Sequence, residues 1–366
     1  MLNVNRNLKR YPELRHSNLQ AWDSADEFIL SELNQHDLIN KRILIINDQF
    51  GALGEALSGA HFPADFTSYS DSYVSTQGSL LNCKNQLLSI HSLDELLGVY
   101  DYALLKIPKN SSFLEDTLAH LSGHFGSNSK LIAASMIKYL PKSSFDLIEK
   151  YIGPTTTSLA QKKARLIFAS FEKEKAQSPY PNVVFMEGFP KNFIHHANLF
   201  SREKLDIGTR FFLEHVPKGN FKDILDLGCG NGIVGIHAKM LNPGAKVSFC
   251  DDSYQAILSA RANYELFFKN EEEDFPDFQW LNCFENSEKE ILDLILCNPP
   301  FHQHHVIGDF IAEQMFLDAY RALKKGGRIR VIGNSHLRYP QSLKKIFKNS
   351  ERVANNQKFM IVDAIR

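Results

Sequence analysis

Short apolar runs recur along the chain: ILII at 43–46, DYALLKI at 101–107, KLIAASMI at 130–137, ILD closing a run at 224–226, KVSFC at 246–250, LDLILC at 292–297, RIRVI at 328–332 and MIVDAI at 360–365. Runs of this length, bounded by turn residues, predict buried strands. Between them the apolar period changes. Trp22, Ala25, Ile29 and Leu33 recur at helical spacing and predict a helix over 19–35, with further helices at 111–122, 142–151 and 206–215. FQWL at 278–281 is an additional strand leading to Asn282. Residues 183–200 form a short hairpin about Gly188 and Pro190, and Gly326-Gly327 a turn before the 328–332 strand. Strands alternating with helices predict an α/β architecture with doubly wound, mostly parallel sheets.

The pattern occurs twice. ILIINDQFGALG (43–54) parallels ILDLGCGNGIVG (224–235), and DYALLKIPKN (101–110) parallels DLILCNPPFH (293–302). The polar, proline-containing stretch KEKAQSPYPN (173–182) separates the halves, which sets domains at 1–180 and 181–366. A length of 366 residues also fits two domains at ~150 residues each. The first copy lacks the glycines and the Asn-Pro-Pro of the second, so it is expected to be degenerate and to bind no cofactor.

Composition narrows the class. Apolar residues are 43% and charged residues 23%, as in ordinary globular proteins, and no apolar run approaches the ~20 residues that span a bilayer. The first residues lack the apolar segment of a secretory signal, so a cytoplasmic protein without membrane contact is expected. Five scattered cysteines form no CxxC pair, and no metal is expected. The net charge of −1 hides segregation: residues 251–300 hold 12 acids and 3 bases, residues 301–366 hold 5 acids and 12 bases. Solvated faces or a polyanionic partner both account for such runs.

The candidate chemistry lies in the second half. In DLGCGNG (Asp226, Gly228, Cys229, Gly230, Asn231 and Gly232) a strand turns into a helix through glycines, which let a backbone approach a ligand closely. Asp251 ends the next strand, where a carboxylate accepts both ribose hydroxyl protons of a nucleoside or caps the following helix. Asp252 could substitute for it. Asp226 precedes the glycines, where it would repel a pyrophosphate. It therefore favours a cofactor with a positive end, such as S-adenosylmethionine. Asn282, with Cys283 beside it, is placed to hydrogen-bond adenine or to make a turn. The last element is Asn298-Pro299-Pro300-Phe301. Two prolines stiffen the loop and remove two N–H donors. The Asn298 side-chain oxygen and the Pro299 carbonyl can then accept both hydrogens of one planar amino group while Phe301 stacks on its ring. Such an arrangement suits in-line methyl transfer to an amino nitrogen. The four residues do not distinguish guanine, adenine or glutamine-amide nitrogens.

These residues carry a resemblance. Residues 200–366 look like a class I S-adenosylmethionine-dependent methyltransferase with an N/DPPY/F motif. FSREKLDIGTRFF (200–212), LDLGCGNG and CNPPFHQHH resemble the bacterial guanine-N2 rRNA methyltransferases, which include the small-subunit RsmC and large-subunit RlmG families. LQAWDSADEFIL (19–30), NDQFGALGEAL (47–57), KIPKN (106–110) and GPTTTSLAQKKARL (153–166) are similar to the RlmG family in particular. The resemblance implies two tandem Rossmann-like methyltransferase folds, the first degenerate. It also implies methylation of the exocyclic N2 of one guanine in 23S rRNA, and no obligate protein partner is inferred. A small-subunit rRNA target or a non-catalytic rRNA-binding protein with a relic pocket are the alternatives.

Other side chains are weaker candidates. His302 and His305 border the expected base pocket. Together with His304 and His195-His196 they match no common zinc spacing. Lys162, Lys163 and Arg165 form a basic cluster suited to RNA phosphates in the first half. Arg328, Arg330, Arg338, Lys344, Lys345 and Lys348 form another in the second.

Overall fold

The computed structural model describes residues 1–13, 19–60, 63–83, 87–200, 205–269, 276–300 and 305–366. The chain divides into two compact units, Met1–Tyr180 and Pro181–Arg366. In the first, helices α1 (Ser24–Leu33), α2 (Ala52–Ser58), α3 (Tyr73–Cys83), α4 (Ser111–Gly123) and α5 (Ser143–Tyr151) accompany seven strands. These are β1 (Arg42–Ile46), β2 (Asp65–Tyr69), β3 (Leu88–Ile90), β4 (Tyr100–Lys106), β5 (Phe125–Met136), β6 (Thr155–Thr157) and β7 (Ala164–Ser170). The second unit opens with a hairpin of β8 (Asn182–Val184) and β9 (Phe193–His195). It continues through α6 (Ile207–Leu213), β10 (Asp223–Leu227), α7 (Ile233–Leu241), β11 (Lys246–Asp251), α8 (Tyr254–Phe268), β12 (Phe278–Trp280) and β13 (Leu292–Cys297). It closes with α9 (His305–Ala322), β14 (Leu323–Asn334), α10 (Tyr339–Phe347), β15 (Glu351–Asn355) and β16 (Phe359–Ile365).

The two sheets have one topology. Strand order is β3-β2-β1-β4-β5-β7-β6 in the first and β12-β11-β10-β13-β14-β16-β15 in the second. Five parallel strands are followed by an antiparallel pair in each. The apolar runs are continuous because each strand is covered on both faces. Ile43 and Ile45 join the layer of Ile29, Leu30 and Leu33, whereas Leu44 and Ile46 join that of Leu114 and Leu118. In the second unit Ile224 packs with Phe212 and Ile236, while Leu225 and Leu227 pack with Met315 and Phe316. Among the described residues no helix is long and apolar enough to cross a membrane.

The repeat extends to individual hydrogen bonds. Asp23 caps α1, accepting from the Ala25 N–H at 2.8 Å, and Asp206 caps α6, accepting from Gly208 and Thr209 at 2.9 and 3.1 Å. Gly51 and Gly232 occupy the left-handed region at φ 80° and 81°, each heading a helix. In α3, Asn82 accepts from the Lys9 N–H at 3.0 Å and donates to the Lys9 and Phe50 carbonyls, both at 2.8 Å. In α8, Asn263 accepts from the Ile194 N–H at 2.6 Å and donates to the Ile194 and Asn231 carbonyls at 3.0 and 2.9 Å. The same brace thus ties an entering segment and the first strand–helix loop to one helix in each unit.

Several element boundaries differ from the pattern-based expectation. The first helix starts at Ser24 because the Asp23 cap, reinforced by Asp26 accepting from the Asp23 N–H, ends it there; Trp22 lies outside. Ile137 begins a 3-10 turn after β5. Gly326 and Gly327 lie inside β14, where the register against β13 shifts, and not in a turn before it. β12 ends at Trp280, so Asn282 stands in the following turn.

Candidate active site

Strands β10 and β13 are neighbours with Leu227 opposite Cys297, so the loops that follow them emerge side by side. The chain winds outward from this pair in both directions, and the carboxyl ends of such strands open a crevice. Gly228 has φ 76° and Gly230 φ 54°, which place backbone where L side chains are strained. A Cβ at Gly228 would stand 3.6 Å from the Asn298 carbonyl oxygen, which shows how closely the two loops approach. The Gly228 and Cys229 N–H groups both donate to the Cys250 carbonyl, at 2.8 and 3.0 Å. A Cβ on Gly232 would meet Ala260 Cα at 3.0 Å, so this glycine serves helix packing.

Asp251 holds the glycine loop. Its Oδ2 accepts from the Gly230 N–H at 2.9 Å and its Oδ1 from the Ser253 N–H at 2.9 Å. The cap of α8 is Ser253, which accepts from the Ala256 N–H. Burial raises the Asp251 carboxyl above its ordinary range, opposed by these N–H groups. Asp252 accepts the Trp280 indole N–H at its backbone carbonyl, 2.6 Å away. Asp226 differs from the expectation of an open charge facing a ligand. It is 3% exposed, and its Oδ2 accepts from the Gly235 N–H at 2.7 Å. Burial pushes its pKa up to about 8, against the Gly235 hydrogen bond and with help from the Asp251 charge. Burial also raises the thiols of Cys229, Cys250 and Cys297, which therefore act as small apolar side chains.

Asn231 heads α7. Its Oδ1 accepts from the Ile233 N–H at 3.1 Å and its Nδ2 lies 2.8 Å from His195 Nε2 on β9. Asn282 donates to Glu285 Oε2 at 3.2 Å, and its Oδ1 lies 3.5 Å from Cys283 Sγ. In the second strand-end loop, Pro299 is buried and Pro300 exposed. Asn298 Oδ1 is enclosed yet has no hydrogen-bond partner among the described residues. A buried amide oxygen left unpaired costs about 1–3 kcal/mol, so an amino group supplied from outside would be bound there at a gain. Phe301, His302 and His304 lie outside the described residues, as does the side chain of His305, which opens α9.

Sequence reasoning missed the polar row on α8. Gln255, Ser259 and Asn263 are all buried and face the segment after the hairpin. Gln255 accepts from the Asn198 N–H at 2.7 Å, and Ser259 from the His196 N–H at 3.1 Å, beside the Asn263 brace. Their spacing of four residues was the available signal. The basic clusters also change. Arg330 is 8% exposed and bonds Asp363 through two 2.7 Å contacts, and Arg328 reaches the same carboxylate at 3.3 Å. Arg330 is held in an internal ion pair, and Arg328, partly exposed, leans on the same carboxylate. Lys162 is held by Glu27 at 2.7 Å, Lys163 is exposed, and the Arg165 Nε is enclosed with no partner among the described residues.

Comparison with known proteins follows the same division. Residues 2–173 match the RLMG N-terminal domain, and residues 191–363 match the methyltransferase small domain. The ribosomal RNA large subunit methyltransferase G of Pseudomonas putida (strain GB-1) is 41% identical, with 98% of this chain and 96% of that protein covered. The protein of that name from Stutzerimonas stutzeri (strain A1501) is 42% identical over the same shares. A solved T. thermophilus protein, the 16S rRNA N2 G1207 methyltransferase RsmC in complex with AdoMet and guanosine, superposes with a TM-score of 0.77. It is 18% identical, with 94% of this chain and 92% of that one covered, and so shares the fold. With both halves matched and full-length relatives above 40% identity, the chain belongs to the ribosomal RNA large subunit methyltransferase G family.

Proposed function

We propose that the second unit transfers a methyl group from S-adenosylmethionine to the exocyclic N2 of a guanine in 23S rRNA, extruded from its stack, and that the first unit orients the RNA. The observation that carries the reading is the buried Asn298 Oδ1, without a hydrogen-bond partner among the described residues, beside the glycine loop. The residues fit the cofactor. Gly228 and Gly230 keep side chains out of the crevice, and Asp251 is anchored at the strand end where ribose hydroxyls are bound. Cys229, Asn231, Asp252, Asn282 and Cys283 complete its surroundings, whereas Asp226 supports the loop from below through the Gly235 N–H and Gly232 packs on α8. When bound, S-adenosylmethionine supplies an electrophilic methyl group on a sulfonium.

The rest of the reaction is positioning. Asn298 Oδ1 and the Pro299 carbonyl accept the two amine hydrogens, which holds the nitrogen pyramidal and directs its lone pair. Pro299 and Pro300 keep those oxygens fixed, because rigid dipoles need no reorganisation as charge develops. Phe301, His302 and His305 border the base. No strong base is required, since the N2 proton is acidic once the nitrogen is methylated. The RlmG relatives and the AdoMet- and guanosine-bound T. thermophilus structure support this assignment of ring and rRNA.

The test uses tritiated S-adenosylmethionine and 23S rRNA transcribed in vitro, with ribonuclease digestion and mass mapping of the product. A methylated guanine is expected. Asn298→Ala is expected to lower kcat by about 10²–10³-fold while S-adenosylhomocysteine binding, followed by calorimetry, is retained. Unchanged turnover in that variant, or methylation of adenine, overturns the proposal.

A further inference from the structure

The repeat makes the first unit a comparison for the second, and it sorts the contacts around the glycine loop. In the first unit the Asn82 brace joins Lys9 to the Phe50 carbonyl. In the second the Asn263 brace joins Ile194 to the Asn231 carbonyl. Phe50 and Asn231 are therefore equivalent, and so are the next residues of the two entering segments, Arg10 and His195. What lies between them differs. The Arg10 guanidinium stands 4.6 Å from the centre of the Phe50 ring. That ring fits because α3 carries Gly78 beside it, where a Cβ would stand 2.8 Å from Phe50 Cδ1. In the second unit an amide replaces the ring, and Ser259 takes the place of Gly78. His195 is 1% exposed, with its Nε2 2.8 Å from Asn231 Nδ2. The fold tolerates either contact at this place, and the polar one goes with the copy whose loop keeps its glycines.

The hydrogen bonds fix which atoms meet. Asn231 Oδ1 accepts from the Ile233 N–H at 3.1 Å, so its amide nitrogen is what faces the imidazole. An amide nitrogen only donates, and His195 Nε2 is then the acceptor, with the ring proton on Nδ1. The residues on either side of His195 are pinned to α8. The Ile194 N–H donates to Asn263 Oδ1 and the His196 N–H to Ser259 Oγ, at 2.6 and 3.1 Å. Beyond them the Asn198 N–H donates to Gln255 Oε1 at 2.7 Å. Val74 and Gly78 stand where Gln255 and Ser259 do and offer no side-chain acceptor, so this pinning belongs to the second copy. Asn231 is where an anchor has most effect. It lies between Gly230 and Gly232, at φ 54° and 81°, and glycines on both sides leave it the widest backbone freedom. Asp251 holds the Gly230 N–H and Asn263 the Asn231 carbonyl, while His195 holds the side chain.

We infer that His195 is a positioning residue for cofactor binding: a buried acceptor that sets the Asn231 amide and so holds the glycine loop in the shape S-adenosylmethionine meets. It rests on the reading of that loop as the cofactor's site. A loop ordered in advance spares the ligand the entropy of ordering it.

Calorimetric titration of the full-length protein with S-adenosylhomocysteine tests this in wild type, H195Q, H195F, N231A and H195F/N231A. Glutamine places an acceptor oxygen near the Nε2 position, whereas phenylalanine keeps the ring shape and has no acceptor. H195F is expected to bind at least about fivefold more weakly and H195Q within about threefold of wild type, the scale of one hydrogen bond. A role in packing alone predicts the reverse order. In the N231A background H195F is expected to add less than about twofold, because residues that act through one contact are not additive. Nitrogen NMR shifts of the labelled wild-type His195 ring read the tautomer without substitution, with Nδ1 protonated and Nε2 bare. A proton on Nε2 overturns the inference, as does H195Q binding as weakly as H195F, or a full additional loss in the double variant. Should H195F fail to fold, H195Q binding more than about fivefold weaker overturns it alone. Wild-type binding left unchanged by H195F rejects the inference and keeps the cofactor reading of the loop. No binding by wild type rejects that reading and the inference with it.

Discussion

Two side chains at neighbouring strand ends are held in different states. Asn298 Oδ1 is neutral and enclosed, with no hydrogen-bond partner among the described residues. Asp226 is a carboxyl with a backbone N–H for a partner, buried enough to lie at about pKa 8. Its ordinary value is about 3.9. A carboxyl raised on folding favours the native state fully below its unfolded pKa, and that contribution is lost as pH rises through the folded value. In the apoprotein the second unit should therefore lose stability between about pH 4 and 8 on account of this group. Asp226→Asn keeps an oxygen for the Gly235 N–H and cannot ionise. Its melting temperature is expected to fall less than that of wild type as pH is raised from 5 to 8. Parallel curves for the two proteins would show that Asp226 does not titrate in this window.

At the level of elements, the internal repeat separates what the fold needs from what the proposed function adds. Gly51 and Gly232, the Asp23 and Asp206 caps, and the Asn82 and Asn263 braces occur in both copies with the same bonds, so they serve the strand–helix architecture. Gly228, Gly230, Asp251 and Asn298 have Asn47, Gln49, Ser70 and Lys106 in their places. Asn263→Ala would strand two carbonyls and one N–H in a fully buried place, at a cost of about 2–4 kcal/mol. Because one of them belongs to Asn231, the substitution should also weaken S-adenosylhomocysteine binding. Asn82→Ala removes the same bonds at a more exposed site. It should destabilise the first unit and leave that affinity unchanged. Denaturant titration with calorimetry reads both. Equal loss of ligand affinity in the two variants would mean that the brace does not act locally.

For the whole molecule, each unit closes two apolar layers about its own sheet. Two such cores predict two unfolding transitions. In the first unit the crevice is occupied by Lys106 between Asp23 and Asp26, with Asp48 on the α2 N–H groups. A cofactor analogue should therefore raise the second unit's transition alone, by about 2.7 kcal/mol at a hundredfold excess over Kd. Differential scanning calorimetry with S-adenosylhomocysteine checks this. A matched shift of both transitions would show a ligand site in each copy or a single cooperative unit.

Strand–helix alternation, the duplication, the glycine loop and the Asn-Pro-Pro element were readable from residue order, because each depends on local backbone chemistry: apolar period, permitted φ, missing N–H groups. Burial and long-range pairing were not. Asp226 became a buried clamp because its strand runs beneath α7. Asn263 became a brace because its partner Ile194 lies 69 residues away. Charges in like-signed clusters acquired opposite fates for the same reason. Lys162 meets Glu27 across 135 residues and Arg330 meets Asp363 across 33, while Lys109, Lys138 and Lys163 meet no carboxylate among the described residues. Residue order settles what each side chain is able to do. Which groups are desolvated, and which find a partner, depends on distances that exist only after the sheets have formed.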